Sequence, residues 1–164
     1  MNLVRIEGSR AVFALKPREK EWLEFLLDQY PVVPSGHHQL SRTAGEAEFS
    51  EEKVLLDEAA DEARKENRGL IRRFLAELNR LDSVDGSFEL TIEAAQVDRL
   101  LEVLNDVRLG CWVLLGRPDP DQRREYNRED EGELRLALSL DLAGLFQAKF
   151  LAALDELEGR GSVG

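Results

Sequence analysis

The sequence predicts an α+β fold that is mainly helical, with a small antiparallel sheet. Three observations predict it: two short runs rich in Val, Ile and Phe flank a Gly-Ser pair near the N-terminus, residues 87–91 alternate polar and apolar, and most of the remaining chain has helical apolar spacing. Its 164 residues suit one domain, and 43% hydrophobic with 34% charged residues is a globular composition. We expect one domain at 1–158 and a flexible Gly-rich tail at 159–164.

The N-terminal region is predicted to form a hairpin followed by a helix. Residues 2–6 and 10–16 read as strands joined at Gly8-Ser9, because glycine tolerates the tight turn that a hairpin needs. A proline then ends the second strand and favours the first turn of an amphipathic helix over 17–29. Residues 31–49 contain Pro and Gly at several positions and are predicted to be a loop.

A long acidic helix and a third strand are predicted next. Ser50 offers a capping hydroxyl before two glutamates, and a helix over 51–81 follows. Its apolar stripe weakens across 61–69, and Gly69 costs about 1 kcal/mol relative to Ala in a helix interior, so a bend or two shorter helices is an alternative. Residues 87–91 then alternate as a half-buried strand does, and we expect them to pair with the hairpin.

The clearest helical pattern covers residues 92–115, where apolar residues recur at spacings of three and four and Thr91 is the expected cap. The charged segment 117–132 is predicted to be a surface loop. Leucines at alternate positions over 133–141 would suit a strand, but Leu and Ala favour helices and the helical spacing continues. We therefore predict a helix over 133–158.

The net charge limits the kinds of partner that the protein can bind, and the cysteine content bears on its cellular compartment. The net charge of −11 repels phosphate backbones and anionic lipid headgroups, so we expect neither nucleic-acid nor membrane binding. Cys111 is the single cysteine, which excludes an intrachain disulfide. We see no signal peptide, and the longest apolar runs, such as 111–115, are far shorter than the roughly 20 residues that cross a bilayer. These features favour the cytoplasm.

No pattern predicts a catalytic, metal or cofactor site. His37-His38 lies near Glu46 and Glu48, but adjacent histidines diverge and the spacing is not that of a metal motif. The acidic residues of the long helix lack a Glu-x-x-His partner and are predicted to be a solvated face. Cys111 has no evident base beside it, and we expect a small buried hydrophobe.

One segment has polar residues inside an apolar helical pattern. Leu101, Asn105, Arg108 and Trp112 follow one another at spacings of four, three and four, beside the core face, and Asp106 adjoins them. One interpretation is an internal polar network, in which removing a buried, paired Arg108 would cost about 3–5 kcal/mol. The other is a recognition surface, since arginine binds carboxylates in bidentate fashion. The candidate binding residues are Asn105, Asp106, Arg108 and Trp112.

The segments Phe88–Ala95 and Leu104–Leu109 resemble an uncharacterised bacterial family, catalogued as a domain of unknown function, with a Leu-Asn-Asp-x-Arg-Leu helix motif. The resemblance implies a strand pair, a Leu-rich helix, a long acidic helix, the motif helix and a terminal helix. Genes of that family often lie near the Clp-protease adaptor ClpS, which implies a link to regulated proteolysis or transcription. The chain departs from the family at Ile92, where members tend to have Pro, and at Gly144-Leu145-Phe146, where they tend to have Trp-Leu pairs.

The sequence therefore predicts a non-catalytic cytoplasmic interaction or regulatory protein with a protein partner. The alternative is an enzyme or a small-ligand-binding protein with its site around Arg108. A third hypothesis is a homodimer formed by an apolar strip of the final helix, whose members are Leu138, Leu142, Leu145 and Phe146. The same strip would otherwise belong to the core of the domain.

Overall fold

The computed structural model describes residues 1–33, 50–119, 127 and 129–161. Within these residues the elements follow one another as β1 (Asn2–Glu7), β2 (Arg10–Leu15), α1 (Pro17–Asp28), α2 (Ser50–Leu78), β3 (Ser83–Val84), β4 (Ser87–Glu93), α3 (Ala94–Leu114) and α4 (Glu131–Gly161). The α+β class, mainly α, is confirmed. Most of the predicted loop at 31–49, and part of that at 117–132, lies outside the described residues.

The strands form one antiparallel sheet in the order β1-β2-β4-β3. In the centre of the sheet, Phe13 pairs with Leu3 on one side and with Leu90 on the other. Phe13 and Leu90 are buried in the core together with residues of all four helices. The predicted hairpin and third strand are confirmed. The sequence does not predict strand β3, because its two residues are too few to show an alternating pattern.

The outer face of the sheet is covered by ion pairs. Arg5 on β1 donates two hydrogen bonds to Glu89 on β4, at 2.9 and 2.7 Å, and so spans the intervening strand β2. Val12 lies on this face between them and is nevertheless 0% exposed. Arg10 pairs with Glu93 at 2.5 Å further along the same face. The charged side chains therefore cover a face of the sheet on which none of the described helices packs.

Helix α3 begins two residues later than the sequence predicts, and Thr91 is not its cap. Strand β4 continues through Ile92 and Glu93, because Ile92 is fully buried and Glu93 still pairs with Arg10 of β2. The side chain of Gln96 accepts the backbone N–H of Glu93 at 3.1 Å and completes a capping box at this point. Burial and strand pairing thus outweigh the local capping preference of threonine.

Helix α2 is continuous from Ser50 to Leu78, so the alternative of two shorter helices is wrong. Its second half is fixed by buried Ile71, Phe74 and Leu78. The weakly apolar region around Gly69 is supported by ion pairs, such as Arg64 with Asp61 at 3.2 Å. Tertiary packing along the helix outweighs the local cost of one glycine.

Helix α4 includes the whole of 133–141, so the predicted helix is confirmed and the strand alternative is wrong. It packs along α3 and contacts α1, β1 and β2. Phe150 meets Phe13 edge to face, with ring centroids 5.6 Å apart. The helix continues to Gly161, into the predicted tail, and residues 162–164 lie outside the described residues.

Among the described residues, α4 is the helix that is long and apolar enough, by length and composition, to cross a membrane. Of the 18-residue stretch of α4 that gives it this composition, 44% is buried inside the protein. The sequence expectation considered uninterrupted apolar runs, whereas α4 reaches this composition through many leucines and alanines separated by single charges. The mean hydropathy of α4 is high because apolar residues lie both on the side that packs in the core and on most of the side that faces solvent.

The ion pairs on the sheet predict a pH dependence of stability. Arg5 holds the pKa of Glu89 below its ordinary value of 4.5. Since the folded pKa is depressed, the pair stabilises the fold above the unfolded pKa and its contribution is lost as the pH falls through the folded pKa. Glu89→Gln should therefore be less stable than the wild type at pH 7, and the two should converge in acid. Urea unfolding at several pH values measures this; a constant difference would contradict it.

A close approach between α3 and the segment that follows α1 predicts the sign of a glycine substitution. A Cβ added at Gly110 of α3 would lie 2.8 Å from Cβ of Val32, which is fixed to the backbone. Gly110→Ala should therefore lower the free energy of unfolding by about 1–3 kcal/mol, despite the better helix propensity of alanine. Gly144→Ala on α4 is the matched control, because nothing lies within 4 Å of its added Cβ. It should raise the free energy of unfolding by up to about 1 kcal/mol. Equal effects in denaturant unfolding would contradict the close approach.

Candidate functional site

An open groove of about 480 Å³ lies between α3 and α4. Helix α3 contributes Asn105, Arg108, Leu109 and Trp112, and α4 contributes Leu140, Asp141 and Gly144. Three of the four predicted binding residues therefore line one groove. They do so because spacings of three and four place Asn105, Arg108 and Trp112 on the same side of α3.

Arg108 is exposed and is not held in a buried ion pair. Its Nη1 donates a long hydrogen bond of 3.3 Å to Oε1 of Gln147 on α4. This bond connects the two helices at the surface, so the interpretation as a polar network inside a packed helix does not describe Arg108. The guanidinium keeps other donors for a ligand or a partner.

Trp112 forms a fixed wall of the groove. Its indole Nε1 donates a 3.0 Å hydrogen bond to the backbone oxygen of Pro118, and the ring is half-buried. The chain returns towards the ring after α3 because Gly116 takes a φ of 79°, which glycine adopts without strain. An aromatic ring held in one orientation offers apolar contact at low entropic cost.

Asp106 belongs to a different contact, on the side of α3 that faces Tyr30. Burial raises the pKa of Tyr30, the charge of Asp106 raises it further, and the neighbouring Asn67 amide lowers it. The Tyr30 hydroxyl makes no hydrogen bond of normal geometry within the described part of the chain, and the Asn67 amide lies beside it. Successive helical residues diverge by about 100°, and this separates Asp106 from Asn105.

The α4 wall of the groove is the part that sequence reasoning missed. Asp141 is exposed there, so the groove has a cation on one helix and an anion on the other. Gly144 leaves the groove open, since a Cβ at this position would meet nothing within 4 Å. No local signal links these residues to Arg108, because only the packing of α3 on α4 brings them together.

The outward side of α4 is apolar over five turns except at Asp141, and we call it the outer α4 face. Its exposed members are Leu134, Leu138, Asp141, Leu145, Ala148, Leu151 and Ala152. The four leucines are 37–52% exposed, and Leu109 of the groove is 51% exposed. The predicted strip of the final helix is divided: Leu142 and Phe146 are core residues, whereas Leu138 and Leu145 lie on the outer face. A surface helix normally has a polar outer side, so this face is exceptional.

The other described residues that the sequence offers for chemistry lie outside the groove. Cys111 is fully buried, and burial raises the pKa of its thiol while nearby Ser139 lowers it. The prediction of a small buried hydrophobe is confirmed for it. Among the described residues, no group of three His, Cys, Asp or Glu is placed to hold a metal ion. His37-His38, Glu46 and Glu48 lie outside the described residues.

A comparison with family models, curated proteins and solved structures found no match. The resemblance to a family with the Leu-Asn-Asp-x-Arg-Leu motif thus stays a prediction.

The exposure of Arg108 predicts that it contributes little to stability. A surface side chain with one long hydrogen bond is worth less than about 0.5 kcal/mol, so Arg108→Ala should melt within about 2 °C of the wild type. Differential scanning calorimetry measures the shift. A loss of about 3 kcal/mol would instead mean that Arg108 is a buried structural residue and would remove it from the site.

Proposed function

We propose that the protein is a non-catalytic cytoplasmic interaction protein that binds another protein chain through the outer α4 face and the adjoining groove. The single observation that carries this proposal is the group of exposed leucines beside an exposed arginine. Of the eight exposed large hydrophobic residues among the described positions, four lie on α4 and one lines the groove. Contiguous apolar surface of this kind is characteristic of interaction sites.

The chemistry of the groove supports a protein partner. Arginine and tryptophan are enriched among the residues that dominate binding energy at interfaces, and Arg108 and Trp112 lie together here. Asn105 and Asp141 add polar groups that fix the orientation of a partner. The leucines of the outer α4 face would supply burial at about 25 cal/mol per Å².

The net charge of the chain and the packing of α4 favour a cytoplasmic protein over one that binds nucleic acid or a membrane. A net charge of −11 disfavours phosphate backbones and anionic bilayers. The inner side of α4 packs in the core of the domain through Phe146 and Phe150, so only its outer side remains to meet a partner. Regulated proteolysis, which the resemblance implies, is one setting for such a partner.

A small-ligand-binding protein or an enzyme is the second candidate. The groove volume of about 480 Å³ lies within the usual range of ligand pockets, about 300–1,000 Å³. Arg108, Asn105 and Asp141 would then bind the polar ends of a ligand and Trp112 would contact its apolar part. A ligand that fills the groove alone would leave the leucines of the outer α4 face without a role, which favours the protein partner.

Affinity capture with the tagged chain from its native host tests the proposed function. The wild type should retain one or more chains in near-stoichiometric amount, untagged copies of itself included. Leu145→Asp should abolish this, because it removes a 48% exposed leucine and adds a second carboxylate one turn from Asp141, which cannot be buried without a further partner charge. Val84→Asp is the matched control: Val84 is 66% exposed on β3, away from α4.

Retention of the same chains by Leu145→Asp, with the fold intact by circular dichroism, would contradict the proposed surface. A small molecule that protects the wild type against heating and fails with Gly144→Trp would favour the second candidate. Gly144 serves for this purpose because the space beside its Cα is empty.

A further inference from the structure

We propose that the outer α4 face binds a second copy of this chain, with the two α4 helices packed antiparallel about a two-fold axis. This inference rests on the proposed function, because it names the partner of the same surface. Three properties of the face carry it: the spacing of its exposed residues, the distribution of large and small side chains, and the charges on and beside it.

The first property is heptad spacing. Leu134, Leu138, Asp141, Leu145, Ala148 and Ala152 succeed one another at intervals of four, three, four, three and four. All six are exposed. This interval is that of the contact positions in paired helices, where side chains of one helix fit between those of the other. The face thus has the pattern of a helix-packing seam, and the domain's own core uses the other side of α4.

The second property is the separation of large and small residues along the seam. Leu134 and Leu138 lie in its first half, and Ala148 and Ala152 lie in its second half. A two-fold axis at residue 143 places Leu138 level with the partner's Ala148, and Leu134 level with the partner's Ala152. These two leucines then each meet a small residue, which permits close packing without voids, and the third leucine of the seam, Leu145, is level with the partner's Asp141. A parallel arrangement would instead place leucine on leucine.

The third property is charge. Arg108 is level with Gln147 of its own α4, to which it donates a hydrogen bond. With the axis at residue 143, position 147 is level with position 139 of the partner, about 3 Å along the helix from the partner's Asp141. Arg108 and Asp141 border the same groove. The two-fold axis therefore pairs the cation of each copy with the anion of the other, twice. A parallel pair would bring Asp141 against the partner's Asp141.

The size of the outer α4 face determines how tightly the two copies are expected to bind. The seam from Leu134 to Ala152 is about 27 Å long, at 1.5 Å per residue. A single pair of helices of this length forms a small interface, at the low end of the range for specific dimers. We therefore expect a dimer that dissociates on dilution, with a dissociation constant on the order of micromolar.

Sedimentation velocity of the full chain over a range of about 1–200 μM tests the proposal, together with charge reversal. The wild type should shift from monomer to dimer in this range. Arg108→Asp and Asp141→Arg should each weaken the dimer about 10-fold or more, since like charges then face each other. The combined variant, Arg108→Asp with Asp141→Arg, should restore association to within about 3-fold of the wild type. Val84→Asp is the control and should leave the dimer unchanged.

Thiol crosslinking tests the antiparallel orientation. Gly144→Cys lies next to the proposed axis, so two copies should be joined by a short bis-maleimide. Leu134→Cys lies about 27 Å from its equivalent and should not be joined. Cys111 is fully buried, so it gives little background. Crosslinking of Leu134→Cys rather than Gly144→Cys would overturn the orientation.

A chain that stays monomeric at about 200 μM would overturn the inference. If Leu145→Asp nevertheless abolished capture of another protein, the proposed function would stand and only the identity of the partner would fall. If neither association nor capture occurred, both would fall. A monomer that floats with phosphatidylcholine vesicles, and loses this with Leu145→Asp, would assign the face to a lipid surface and would also overturn the inference.

Discussion

The packing of α4 against α3 and the sheet is the interaction on which the rest of the structure depends. Helix α4 packs along α3 and contacts α1, β1 and β2. Its Phe150 meets Phe13 at the centre of the sheet. The described helices pack on one face of the sheet, while ion pairs such as Arg5 with Glu89 lie on the other. Without α4 the inner face of the sheet and the core side of α3 would be exposed together, so one helix carries much of the hydrophobic driving force for the fold.

The same packing creates the candidate site. The groove exists because two helices with polar margins lie side by side, and Gly144 leaves space where a side chain would otherwise fill it. Arg108 and Asp141, which are 33 positions apart in sequence, border one surface as a result. The outer side of α4 is largely apolar as well. The helix that completes the core therefore also exposes an apolar surface to solvent. The core contacts and the proposed binding surface thus lie on opposite sides of one helix.

Periodicity was sufficient to predict the hairpin, strand β4, three of the helices and the choice of helix at 133–141. The helical side that contains Asn105, Arg108 and Trp112 also followed from spacing alone. The start of α3 did not, because the pairing of Glu93 with Arg10 extends β4 beyond its local signal. Asp106 was assigned to the site by proximity in sequence, although a helix turns it towards Tyr30. The contribution of Asp141 and Gly144, and the exposure of Leu138 and Leu145, depend on how α4 is rotated against the core, which no local pattern determines.

The central claim is that the outer α4 face is a contact surface in solution. Methyl NMR of the leucines across a dilution series tests it most directly, because inner and outer leucines of α4 report separately. We expect the methyl signals of Leu138 and Leu145 to shift with concentration, while those of buried Leu142 stay constant. Invariant signals for all three over the whole series would contradict self-association through this face, and shifts centred on another element would place the contact elsewhere.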